Sequence, residues 1–189
     1  MKIAVGFGTR PEIIKLSPVI RALKEKKQNF FIIHSNQHYD KNMDAVFLKE
    51  LNLPKAKYNL NIGSGTHSNM TGRMLIEAEK IFMKEKPEIL IVQGDTNTVL
   101  ALALAATKLG IKIAHVESGL RSYSKIPEET NRILTDRISD FCFAPTKKQS
   151  LILQKEGIKK NKIFIVGNTI VDAIKENIKI AEKTAGRTK

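Results

Sequence analysis

Lys2-Ile3-Ala4-Val5-Gly6-Phe7 runs straight into Gly8-Thr9-Arg10-Pro11-Glu12-Ile13-Ile14-Lys15. The first six residues read as a buried strand, the glycine and threonine as a tight turn, and Pro11 as the first turn of a helix. When a parallel strand ends in such a turn, helix N–H groups and fixed cations gather at one spot, which suits an anion. Arg10 and Lys15 strengthen that reading. A cation at a helix start opposes the macrodipole unless something negative lies nearby.

Working outward, the same β-then-α alternation continues. Short β-branched runs predict strands at 2–7, 30–34, 89–93, 112–116, 141–144 and 163–166. Helical periods are expected at 11–27, 41–50, 68–86, 97–109, 128–139, 147–156 and 169–183. Ile89-Leu90-Ile91-Val92 is apolar throughout rather than alternating, as expected where helices cover both faces of a sheet. The fold class that follows is α/β: a doubly wound, Rossmann-like parallel sheet. The segment Tyr58 to His67 opens as a short edge strand and passes into a glycine-rich loop. Thr66 or Ser68 is expected to cap the next helix.

The 189 residues, 42% of them apolar, suffice for one good core. A single cysteine, Cys142, leaves no internal disulfide and offers no metal-site spacing, so no metal is expected. No apolar run approaches the ~20 residues of a membrane span. The first apolar stretch ends at Phe7 with Arg10 close behind, so no secretory leader is expected, and a cytoplasmic location follows. The net charge is +13, and residues 147–189 hold eleven Lys/Arg against four Asp/Glu. Those lysines are not interleaved with aromatics and no nucleic-acid-binding pattern accompanies them, so they read as a solvated surface and not as a nucleic-acid site.

Ligands of open parallel sheets sit beyond the carboxyl ends of the strands. Gly8, Thr9 and Arg10 follow the first strand. Asp95 follows 89–93. Glu117 and Arg121 follow 112–116, and a loop then reaches Glu128, Glu129 and Arg132. Carboxylates and cations so gathered can move a proton at carbon while holding a charged leaving group. Each also has a plainer reading. Asp95 is a loop residue before an N-cap at Thr96 or Asn97, and Arg121 is a local partner for Glu117. Glu128 and Glu129 favour a helix start, and His115 is a hydrogen-bonded core residue.

Five segments carry a resemblance. Phe7-Gly8-Thr9-Arg10-Pro11-Glu12, Gln93-Gly94-Asp95-Thr96, His115-Val116-Glu117-Ser118-Gly119-Leu120-Arg121, Pro127-Glu128-Glu129-Thr130-Asn131-Arg132 and Val166-Gly167-Asn168-Thr169 occur in order. Together they resemble the non-hydrolysing UDP-N-acetylglucosamine 2-epimerases. The resemblance implies the N-terminal half of a GT-B two-domain fold with the active site between its halves. It implies a UDP-sugar substrate, no cofactor, and anti elimination of UDP followed by its re-addition with C2 inverted. Asp95, Glu117 and Glu128 take the positions of the family's active-site acids. Arg10, Lys15, Gly8, Thr9, His115 and Arg121 take positions lining its cleft.

The family's nucleotide-binding second domain is absent from these residues. The expected division is therefore residues 1–168 as the Rossmann-like domain and 169–189 as a helix leading into a truncated interdomain connection, with the missing half or a partner chain needed for turnover. Homodimers are common in the family. Gln37 and His38 match part of an activator site of bacterial members, but the segment Gly63-Ser64-Gly65-Thr66-His67 replaces its arginine region, a pattern like the archaeal-type branch. Two other readings stand beside the epimerase: half of a hydrolysing epimerase, or a solitary nucleotide-sugar binding module. A Rossmann dehydrogenase is disfavoured, because Gly6-Phe7-Gly8 lacks the third glycine and His34 and Asn36 stand where an acid belongs.

Overall fold

The structure, a computed structural model, describes residues 1–36 and 47–185. The expected helix at 41–50 lies partly outside them, with only 47–50 seen as helical, and Gln37 and His38 lie wholly outside. In chain order the elements are β1 (Lys2–Phe7), α1 (Arg10–Glu25), β2 (Asn29–His34), β3 (Tyr58–Asn59), α2 (His67–Glu85), β4 (Ile89–Gln93), α3 (Asn97–Lys108), β5 (Lys112–Val116), α4 (Pro127–Ile138), β6 (Phe141–Ala144), α5 (Lys147–Lys155), β7 (Ile163–Ile165) and α6 (Thr169–Ala185).

The seven strands form one sheet in the order β3-β2-β1-β4-β5-β6-β7, and every neighbouring pair is parallel. Strand side chains alternate between the faces. Ala4, Phe31, Ile33, Leu90, Val92 and Ile113 pack under α2 and α3. Ile3, Val5, Ile32, Ile91, Ala114 and Val116 pack on the other face, against Ile13, Leu16 and Ile20 of α1. Burial on both faces explains why the strands read as unbroken apolar runs.

Local chemistry sets the helix ends. Thr66, Thr96 and Thr146 cap α2, α3 and α5, each hydroxyl accepting a backbone N–H of the first turn. Pro18 sits inside α1, where its missing N–H would leave the Ile14 carbonyl bare. The Ser17 hydroxyl donates to that carbonyl at 2.8 Å instead, so the helix continues. Helix α6 crosses back onto α1, buries Ala173 and ties down through Arg21 Nε to Glu176 Oε2 at 2.6 Å.

The strand order runs outward in both directions from the β1–β4 pair, so the chain leaves these two strands toward opposite sides of the sheet. The turns after them separate and leave a crevice at their carboxyl ends.

Candidate active site

A pocket of about 210 Å³ opens in that crevice. Thr9, Glu12 and Lys15 line it from the first βα unit, Gln93 to Thr96 from the β4–α3 turn, Glu117 and Leu120 from the end of β5, and Arg132 from α4.

Glu117 is a tightly held acid of that lining. The residue is 8% exposed and adopts φ 70°, a left-handed conformation that strains a side chain with a Cβ by about 1–2 kcal/mol. Lys15 Nζ pairs with its Oε2 at 2.6 Å, Gln93 Nε2 donates to the same oxygen, and Asn168 Nδ2 reaches Oε1 at 3.3 Å. Side chains from α1, the end of β4 and the turn before α6 therefore converge on one carboxylate. Asn168 is itself fixed as the cap of α6, its Oδ1 accepting from Ile170 N at 3.1 Å.

Asp95 forms the second charged group, in an ion pair with Arg132 Nη2. Asn131, one residue earlier, donates to the Asp95 carbonyl at 2.9 Å and to Asn97 Oδ1 at 3.3 Å, so α4 grips Asp95 by backbone and side chain together. Arg132 also meets Glu129 at 3.1 Å. Glu129 accepts from Ser122 N and Oγ and from Tyr123 N, fixing the loop before α4. Burial alone would raise its pKa. The Ser122 and Tyr123 donors and Arg132 more than offset that and hold it down at about 2. Glu128, the acid expected in the site, is half-buried, lies outside the pocket lining, and its carboxylate has no partner among the described residues.

The Gly8–Thr9 turn closes over an acid of its own chain. Glu12 Oε2 accepts from Gly8 N at 3.0 Å, Thr9 N at 2.7 Å and Thr9 Oγ1 at 2.8 Å, while Thr96 Oγ1 donates to Oε1 at 2.8 Å. The seat expected for a ligand at Gly8 and Thr9 is filled from inside. Burial dominates this group and lifts the Glu12 carboxyl from 4.5 to about 7 despite those donors. Gly8 packs against Thr98 and Ser35 so closely that a Cβ would collide with both hydroxyls. Arg10 is exposed at the start of α1 and does not line the pocket.

Two further expected residues lie behind the site and not in it. His115 is 1% exposed, with Nδ1 2.7 Å from Asp136 and Nε2 2.8 Å from the Gly94 carbonyl. Arg121 is not the partner of Glu117. Its guanidinium is 1% exposed and held by Asp136 at 2.8 Å and by Glu156. Glu12, Gln93, Arg132 and Asn168 escaped assignment as site residues, though each falls in a quoted motif. A polar residue ending a buried strand, as Gln93 does, was the available signal.

The sheet, its crevice and the polar turns define the Rossmann-like half of a GT-B-type protein. A lipopolysaccharide outer core galactosyltransferase shares that fold at 19% identity, with a TM-score of 0.62 over 89% of this chain and 46% of its own. The sequence pattern of the UDP-N-acetylglucosamine 2-epimerase family matches residues 21–189, and the chain belongs to that family. It is 63% identical to the UDP-N-acetylglucosamine 2-epimerase of Methanocaldococcus jannaschii over 97% of this chain and 50% of that protein. It is 66% identical to the enzyme of the same name from Methanococcus maripaludis, over 96% and 50%. A crystal structure of the M. jannaschii protein in complex with UDP-GlcNAc and UDP superposes with a TM-score of 0.93, covering 97% of this chain and 51% of that one. The chain spans about half the length of the curated relatives it matches. No helix among the described residues is long and apolar enough to cross a membrane.

Proposed function

We propose that the chain supplies the N-terminal, acid–base wall of a UDP-N-acetylglucosamine 2-epimerase that interconverts UDP-GlcNAc and UDP-ManNAc in the cytoplasm. Residues 1–168 form that wall and 169–189 lead toward a nucleotide-binding half facing it. The observation that carries the reading is Glu117, strained, nearly buried, held by Lys15, Gln93 and Asn168, and lining the same pocket as Asp95 and Arg132. A carboxylate so fixed is suited to proton traffic at the sugar C2, and Lys15 and Arg132 are suited to charge that develops as UDP departs.

In the elimination, a carboxylate of the Asp95, Glu117 and Glu128 set takes the C2 proton, its C–H electrons form the C1–C2 double bond, and the C1–O electrons leave with UDP. Re-addition returns UDP to C1 and a proton to C2 from the opposite face. Arg10, exposed at the start of α1, is suited to add positive charge along the path of the diphosphate. His115 and Arg121 act on this chemistry only through the turns they hold.

One wall of a cleft neither excludes water nor clamps a diphosphate. The chain alone is therefore expected to turn nothing over, and as part of a complete enzyme it is expected to form homodimers. The test joins the chain, at the equivalent position of α6, to the C-terminal half of the M. maripaludis relative and follows UDP-GlcNAc by NMR. UDP-ManNAc as product supports the proposal. Free N-acetylmannosamine with UDP would instead mark a hydrolysing enzyme, and tight binding without either product would mark a binding module.

A further inference from the structure

Behind the two acids lies a string of buried charges, none of which lines the pocket. Asp136 of α4 is 1% exposed and accepts three hydrogen bonds: from His115 Nδ1 at 2.7 Å, Arg121 Nη1 at 2.8 Å and the Gly119 N–H at 3.1 Å. The other ring nitrogen of His115 meets the Gly94 carbonyl at 2.8 Å. The ring is thus held at both nitrogens, between Asp136 and the Gly94 carbonyl. Arg121 closes the string on Glu156 at the end of α5.

The two backbone groups at the ends of these contacts are not ordinary. Gly94 and Gly119 take φ of +84° and +81°, left-handed turns that precede Asp95 by one residue and follow Glu117 by two. We propose that Asp136 is the positioning residue of this site, setting the Glu117 turn through Gly119 and the Asp95 turn through His115 and Gly94. The assignment of Asp95 and Glu117 as reacting acids rests on the proposed epimerase reading; the geometric coupling does not.

The energetics favour this role over plain stability. Burying a histidine, an aspartate and an arginine together costs desolvation, and well-packed apolar side chains commonly stabilise a core as well or better. Burial pushes the Asp136 carboxyl up, while the charges and hydrogen bonds of His115 and Arg121 pull it below its ordinary range, so it stays an acceptor for all three donors. Three donors on one short, rigid side chain leave the two turns little freedom relative to each other.

NMR of the full chain without ligand tests this, so its outcome is independent of whether the epimerase reading holds. Asp136→Asn is compared with Phe82→Leu, a core change in α2 away from the site. Losing a hydrogen bond to a charged acceptor should speed amide exchange at Gly119 about tenfold to a hundredfold. The backbone chemical shifts of the Asp95 and Glu117 turns should both move in Asp136→Asn and stay in place in Phe82→Leu. If Asp136→Asn does not fold, His115→Asn decides. Its amide keeps the Asp136 contact and loses Gly94, so Asp95 should shift alone. Backbone shifts in Asp136→Asn that match the control, or in His115→Asn a shift at both turns or at neither, would overturn the proposal.

Discussion

Replacing Glu12 with glutamine should make the protein less sensitive to pH between 4.5 and 7. Glu12 is fully buried and its carboxyl titrates at about 7 in the folded chain against 4.5 in the ordinary state. Between those values the native state holds a proton that the unfolded chain has released, so the stabilising contribution is complete below pH 4.5 and is lost as pH rises to about 7. At about 1.4 kcal/mol per pH unit, that loss comes to roughly 3 kcal/mol. Glutamine resembles the protonated acid in shape and charge, and the Thr9 and Thr96 hydroxyls can rotate to suit it. The assay is urea unfolding of both proteins at pH 5 and pH 8. Groups common to both cancel in the difference, so wild type should lose roughly 3 kcal/mol more than Glu12→Gln across the interval. Parallel losses would refute the reasoning, and so would a steeper loss in the variant, since either would show Glu12 ionised throughout.

Lys15→Met should destabilise the chain by roughly 2 kcal/mol in thermal or urea unfolding. That is below the cost of breaking a fully buried pair, because Lys15 is partly exposed and Gln93 and Asn168 still donate to Glu117. Glu129→Gln should flatten the acid limb of a melting-temperature profile. Its depressed carboxyl contributes stability that is present above pH 4.5 and lost as pH falls toward about 2. Gly119→Ala should cost about 2–4 kcal/mol, since it adds left-handed strain and sets a Cβ 2.7 Å from the Gln149 carbonyl. Gly94→Ala meets nothing within 4 Å and should cost only the strain, about 1–2 kcal/mol by the same measurement.

The fold was legible because the central strands β1, β4 and β5 are apolar on both faces and helices such as α1 and α2 bury a single stripe, two different periods. Strands β1, β4, β5 and β6 fall on their expected residues, and β2 and β7 differ by one at an end. Helix α1 was read correctly through Pro18, although the rescue of Ile14 by the Ser17 hydroxyl was not foreseen. The strand-end rule also brought Asp95 and Glu117 to one pocket.

What escaped was pairing at a distance. Arg121, four residues on, was the sequence neighbour for Glu117, yet the partner is Lys15, 102 residues away and brought near only by the register of β1, β4 and β5. The strained turn at Glu117 sends Arg121 back toward α4 and α5 instead. Glu12 drew no role from the sequence for a similar reason. An acid in the first turn of a helix looks solvated, and only the close packing of Gly8, Thr9 and Thr96 over it produces a buried carboxyl.

The most direct test of the account is deuterium at the sugar C2. UDP-GlcNAc in heavy water is incubated with the chain joined to the relative's C-terminal half, with its Glu117→Gln variant, and with the chain alone. Solvent deuterium should appear at C2 in the first case only. Undiminished exchange in Glu117→Gln would contradict it, as would exchange catalysed by the chain alone.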